Sequence, residues 1–415
     1  MHDRHVSRRK LLKGGGTAFA GLTMLRVAGP QHLFGQQGAQ VIPWLDQPPP
    51  NPVPAITGNL LRWETLESRL TPADNFFYVN HYGIPSGLND ATWRLSIGGL
   101  VAHPRALTLA DIKAREKQEV EFTLECSGNT GVDGGFFTGG IGNAVWGGTR
   151  LASILNSADL LDGATEVVFY GADKGTEIIR DNTGITSAGQ TGRVEPDTGG
   201  ANDLTITEFF ARSMSVRDAL SRDNLLCYEM NGAALPPEHG YPVRLIAPGW
   251  YGVANVKWLN RIEVIDHRYA GKFMARDYVS IREELREGQV VWTFTTVGPV
   301  LLKSAPAKVT RTGNRATIMG AAWGGPIAAV EVQIDDGPWR MATLDDPPET
   351  RRSRGYSWRF WNINWETPAQ GEHQIRSRAI DIHGNVQPSR NESQFASRRT
   401  FWESNAWITR RIAIP

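Results

Sequence analysis

The chain has 415 residues, with 44 Lys and Arg against 43 Asp and Glu, and two cysteines. That length suggests two or three domains, and 40% hydrophobic with 21% charged residues describes a globular chain, not a disordered or fibrous one. A net charge of +1 offers no basic field for nucleic acid, and two cysteines exclude a disulfide scaffold and any all-cysteine zinc or iron–sulfur site.

The N-terminus reads Ser7-Arg8-Arg9-Lys10, followed by an uncharged stretch, Gly14 to Leu25, and then Arg26. The stretch is too short and too weakly apolar to span a bilayer. Paired arginines before a modest apolar region read as a twin-arginine export signal over residues 1–39, which would place the mature protein in the periplasm. That route carries folded proteins, so it favours a cofactor inserted before export without naming one. No other segment carries 18 apolar residues in a row, so no membrane span is expected. Residues 40–58 are Pro-rich and predict an extended arm.

Residues 59–285 mix strand and helix signals and predict an α+β domain. Trp93 to Leu100 alternates like a strand, Thr108 caps a short helical run, and Glu119 to Cys126 alternates strictly, with Val120, Phe122, Leu124 and Cys126 on one face. Leu151 to Leu161 reads as a helix, and Glu166 to Gly171 as a strand. Residues 174–203 are polar and Gly-rich and predict a long loop. Leu225 to Met230, Val243 to Ala247 and Asn260 to Ile265 read as further strands. From 286 to 415 the pattern becomes all-β. Short alternating runs at Val290–Thr296, Arg315–Ala321, Ala328–Ile334, Tyr356–Ile363 and His373–Asp381 predict a small sandwich.

Two features offer chemistry. Cys126 ends an apolar strand at the lip of the turn Ser127-Gly128-Asn129, where a thiolate would face a cleft and suit a soft or high-valent metal. The plainer reading, a buried structural cysteine, stays open on these grounds and suits Cys227, inside Leu225-Leu226-Cys227-Tyr228, better. The run from Met230 to Gly252 holds His239 and Arg244 between prolines and glycines, and Lys257 follows. Together these three would grip a phosphate, Arg as a fork and Lys as a point charge, unless each is simply solvated or paired at the surface.

These stretches resemble the sulfite oxidase family of molybdenum–molybdopterin oxidoreductases. The resemblance rests on Phe76-Phe77-Tyr78-Val79-Asn80-His81-Tyr82-Gly83, Thr123-Leu124-Glu125-Cys126-Ser127-Gly128-Asn129, Ala144 to Leu151, Tyr228 to Arg244, and Pro248-Gly249-Trp250 through Leu259, in the family's order and over about residues 65 to 400. It implies a molybdopterin-binding domain followed by an immunoglobulin-like dimerisation domain, and hence a homodimer. It implies that Cys126 ligates molybdenum beside the sulfurs of a pyranopterin dithiolene. It implies that Tyr78, Val79, Asn80, His81, Asp173, His239, Arg244, Asn255, Val256 and Lys257 hold the cofactor. It places Tyr278 at the active site, where its hydroxyl would donate to substrate or to a metal-bound group. The implied reaction is oxygen-atom transfer, with a small sulfur compound as substrate. No Cys-x-x-Cys-His motif for covalent haem is present, so electrons would leave to an external acceptor, a cytochrome.

The chain departs from the family at two places. Val79 stands where an Arg usually precedes the Asn-His pair, and Thr130 stands where an Arg often follows Cys-x-Gly-Asn. Arg180, Arg193 or Arg276 would have to replace that charge if the substrate is sulfite. Otherwise the substrate is less charged: a sulfane, as in sulfane dehydrogenases, or an S- or N-oxide reduced in the opposite direction. A hydrolase ranks far below, since neither Gly-x-Ser-x-Gly nor His-Glu-x-x-His occurs. A secreted binding protein lacking cofactor is the remaining alternative, and molybdenum analysis separates it from an enzyme.

Overall fold

The computed structural model describes residues 39–47, 55–129, 139–179, 204–345 and 355–415. The expected export signal (but for its last residue), Thr130, and the 180–203 part of the expected loop lie outside the described residues, with Arg180 and Arg193 among them.

The strand that leads to Cys126 is Lys117–Glu125. It pairs antiparallel with Ile141–Arg150, from Lys117 opposite Thr149 to Glu125 opposite Ile141. Leu225–Met230 extends that sheet, and Arg244–Ile246 joins beyond it, so Arg244 lies opposite Cys227. A second sheet runs Arg105–Thr108, Arg94–Gly99, Leu259–Ile265, Glu166–Ile179 and Leu204–Ser215. All its pairings are antiparallel except Arg94–Gly99 with Leu259–Ile265. Leu95, Ile97, Leu151, Leu155, Phe169, Leu245 and Ile262 fill one core among these elements.

Local signals hold where they are short-range. Thr108 caps Leu109–Lys113 through a reciprocal box: its hydroxyl accepts from Asp111 N at 3.0 Å, and its own N–H donates to the Asp111 carboxylate at 2.8 Å. Helices are nevertheless few and short among the described residues, and Leu151–Ala158 is the longest. The first domain is therefore mostly β, not evenly mixed. Residues 174–179 of the expected loop are strand instead, because Glu166–Ile179 continues through them and pairs with Leu204–Ser215, with Lys174 opposite Phe209.

The second domain is a sandwich. One sheet comprises Gln40–Ile42, Lys303–Thr312, Arg315–Trp323, Arg359–Glu366 and Thr343–Leu344; the other comprises Arg340–Met341, Ile327–Ile334, Gly371–Asp381 and Ile408–Ile414. Val309, Ile318 and Ile363 from one meet Val330, Ile375 and Ile412 from the other. The start of the Pro-rich arm is an edge strand of this sandwich, and Trp44 buries its ring there and donates Nε1–H to Ala307 O at 2.9 Å. The run Val290–Thr296 is not a sandwich strand. Gln289–Thr296 pairs along its full length with Val279–Arg286 through a turn at Glu287-Gly288, both at positive φ, so residue 286 falls inside a hairpin.

The two domains share a core. Trp63, Leu66 and Ile141 of the first pack with Ala305, Trp323, Trp358 and Phe360 of the second. Trp358 is fully buried there and donates Nε1–H to Arg69 O at 2.9 Å. Trp358→Ala is expected to lower unfolding free energy by about 3–5 kcal/mol in denaturant titration; a loss below about 1 kcal/mol would mean that the interface collapses around the gap.

Candidate functional site

Cys126 is the first residue after its strand. Its N–H donates to Gly140 O at 2.8 Å, and its carbonyl accepts from Asn129 N at 2.9 Å, closing the turn that the sequence suggests. It sits in a cleft of about 630 Å³, counted to its open mouth, with Tyr78, Val79, His81, Asp173, His239, Arg244, Asn255, Lys257 and Tyr278 also among its walls. Burial pushes the Cys126 thiol up to about 11; the Glu125 carboxylate adds to this, and the Gly128 backbone and Lys303 oppose it. The free side chain is thus a thiol at neutral pH, and a coordinated metal would displace its proton. Cys227 is a packing residue: it is fully buried, and its thiol donates to Glu229 O at 3.1 Å.

At one side of the cleft His81 Nε2 lies 2.7 Å from the Tyr278 hydroxyl. The His81 ring stacks on Phe210 and leans on Phe273, with centroids 5.6 and 5.1 Å away. Burial, helped by the Lys257 charge, holds His81 down to about 4, so it is neutral at physiological pH. Burial and then Cys126 push the Tyr278 hydroxyl well up, so it keeps its proton. This wall is aromatic and uncharged.

The other side is cationic. Arg244 is 3% exposed; its guanidinium donates to His239 O and Asn255 O, both at 3.0 Å, while its Nε–H is buried without a partner. It lies over the Trp146 ring at 5.0 Å. Lys257 Nζ donates to Asn80 Oδ1 and to Glu238 O. Among the described residues neither cation forms an ion pair, and burial pulls Arg244 down to about 10 and Lys257 well below its usual range. Asp173 is the nearby counter-charge; burial raises it to about 7 against the pull of Lys257, and its Oδ1 is buried without a hydrogen bond. Gly171 makes room for it, since a Cβ there would lie 2.2 Å from that oxygen. His239 is buried, donates through Nε2 to Ala73 O at 3.0 Å, and is held down to about 4 by desolvation. Two buried cations and unpartnered polar atoms facing one cleft fit an anionic, phosphate-bearing group.

Of the residues the sequence singles out, Asn80 stands behind the cleft as the anchor of Lys257. Val256 does not line it: its side chain is buried in the first domain's core, and its carbonyl accepts from Leu245 N. Arg276 does not supply the missing positive charge, because it pairs with Asp277 at 2.8 Å and Glu177 at 3.3 Å. Phe210, Trp258 and Val253 line the cleft without having been singled out. Among the described residues no three His, Cys, Asp or Glu side chains gather to hold a metal.

The chain matches the oxidoreductase molybdopterin binding domain over residues 81–191 and 185–273, and the Mo-co oxidoreductase dimerisation domain over residues 295–412. It is 31% identical to mitochondrial sulfite oxidase of Mus musculus, over 82% of this chain and 61% of that one, so it spans less than two thirds of that relative. It is 30% identical to sulfite oxidase of Gallus gallus, over 78% of this chain and 70% of that one. The fold superimposes on the sulfane dehydrogenase SoxCD from Paracoccus pantotrophus with a TM-score of 0.68, covering 94% and 95% of the two chains at 23% identity. The chain, matched by both domain models and by these relatives, belongs to the sulfite oxidase family of molybdenum–molybdopterin oxidoreductases.

Proposed function

We propose that the protein performs oxygen-atom transfer on a small inorganic sulfur compound, sulfite or a relative of it, and passes the electrons to an external cytochrome. The observation that carries this reading is the pairing, in one cleft, of the Cys126 thiol with Arg244 and Lys257, two buried cations that form no ion pair among the described residues. Molybdenum held by a pyranopterin dithiolene supplies the oxygen-transfer chemistry when bound. Cys126 would give the protein's ligand to the metal. Arg244 and Lys257 would take the phosphate, with Asn80, His239 and Asn255 fixing them or the pterin through the contacts above. Tyr278 keeps its proton and its hydroxyl faces the cleft beside Cys126, so it would donate to the substrate while neutral His81 holds it in place.

A second reading follows from Val79. It lines the cleft where a guanidinium would otherwise stand, and the wall formed by His81, Phe210 and Tyr278 is neutral. That surface favours a less charged sulfur compound such as a sulfane. We further propose a homodimer formed through the sandwich, read as immunoglobulin-like, and export to the periplasm by the twin-arginine route.

Three measurements test these readings. Cys126→Ser is expected to purify folded and to lose turnover; full activity would remove the ligand assignment. Val79→Arg is expected to lower KM for sulfite by about tenfold or more, the worth of one charge-assisted hydrogen bond; an unchanged KM selects the less charged substrate. Replacing Arg8 and Arg9 with Lys is expected to hold the protein in the cytoplasm, and undiminished periplasmic yield would contradict the export proposal.

A further inference from the structure

The strand that ends at Cys126 has two faces. Val120, Phe122 and Leu124 pack with Phe76, Trp146 and Ile246 on the cleft side. Glu121, Thr123 and Glu125 alternate with them, and all three are buried against the second domain. Glu121 accepts from Ser357 Oγ at 2.6 Å, and Thr123 Oγ1 accepts from Trp358 N at 2.7 Å. Glu125 is fully buried: its Oε1 accepts from Lys303 Nζ at 2.6 Å and from Asn129 Nδ2 at 3.1 Å, and its Oε2 accepts from Trp323 Nε1 at 2.8 Å.

Lys303 does more than pair with Glu125. Its ammonium also donates to Asn129 O at 3.3 Å, so one cation from the second domain holds the residue before Cys126 and the residue that closes the turn after it. Asn129 Oδ1 in turn accepts from Gly140 N at 2.8 Å, the same residue whose carbonyl receives Cys126 N–H. The second domain also reaches Ser127, whose carbonyl accepts from Glu403 N at 3.0 Å. A buried ion pair is weak evidence for stability, because well-packed apolar side chains of similar volume often do as well. Its geometric effect is different: it fixes the direction in which the adjacent Cα–Cβ bond points.

We propose that Glu125 and Lys303 are positioning residues, which set the orientation of the Cys126 sulfur from across the domain interface. This rests on the reading of Cys126 as the metal ligand. The second domain then acts on the reaction directly, as part of the support for the ligand, besides any role in assembly.

The test uses purified, metal-loaded full-length enzyme, with molybdenum per chain measured for each variant. Lys303→Met is expected to lower kcat per bound metal by about tenfold or more at a KM within about twofold of wild type. It is also expected to displace the visible thiolate-to-molybdenum charge-transfer band, and Lys303→Arg is expected to restore much of both. A merely structural role would lower the melting temperature and leave the band and kcat unmoved, which would overturn the proposal. If Lys303→Met does not fold, Trp323→Phe removes one neutral donor to Glu125 and is expected to shift the band in the same direction; an unmoved band there is equally contrary. Cys126→Ser separates the two ideas. Loss of the band in Cys126→Ser with no shift in the Lys303 or Trp323 variants defeats only the positioning proposal, whereas a band that survives in Cys126→Ser defeats the ligand reading itself.

Discussion

Buried positive charge without a carboxylate beside it is costly, because the cation gives up water and receives only dipoles in return. This cleft holds Arg244 and Lys257 without an ion pair to either among the described residues, and the elements around them are arranged to make that tolerable. The carbonyls of His239, Asn255 and Glu238 and the side chain of Asn80 point at the two cations, and the Trp146 and Trp258 rings lie under them. Asp173 is close enough to feel Lys257 but is itself pushed towards neutrality. An anion entering the cleft would find donors already oriented and desolvated, which is the condition for tight, specific binding of a phosphate group.

The same cleft divides its tasks by wall. The cationic side is formed by Arg244 and Lys257, whereas His81, Phe210 and Tyr278 on the other side are neutral themselves. Cys126 lines the same cleft as both walls. Lys272 and Arg276 lie nearby but are matched by Glu177 and Asp277, so they add little net field to the substrate side.

Much of this was legible in the sequence because it lies in short contiguous stretches. Alternation from Val120 to Cys126 gave the strand, its apolar face and the thiol at its end, and the stiff run around His239 and Arg244 pointed to fixed donors. What pattern reading missed depends on distant partners. Glu121, Thr123 and Glu125 look like the wet face of a half-buried strand, yet their partners Ser357, Trp358 and Lys303 arrive from the second domain, 178 residues on in the case of Lys303. Val290–Thr296 alternates as a sandwich strand would, but alternation reports a pleated surface and not the neighbour it pairs with. Arg276 offered a charge whose neutralisation by Glu177 no local pattern could reveal. Val256 was placed by its position in a motif, and its side chain packs in the core.

The proposed ligation of molybdenum by the Cys126 sulfur is read most directly by X-ray absorption at the molybdenum edge. Comparing wild type with Cys126→Ser, both loaded with cofactor, the account predicts one fewer sulfur scatterer per metal in the variant. An identical sulfur shell in the two proteins would contradict it.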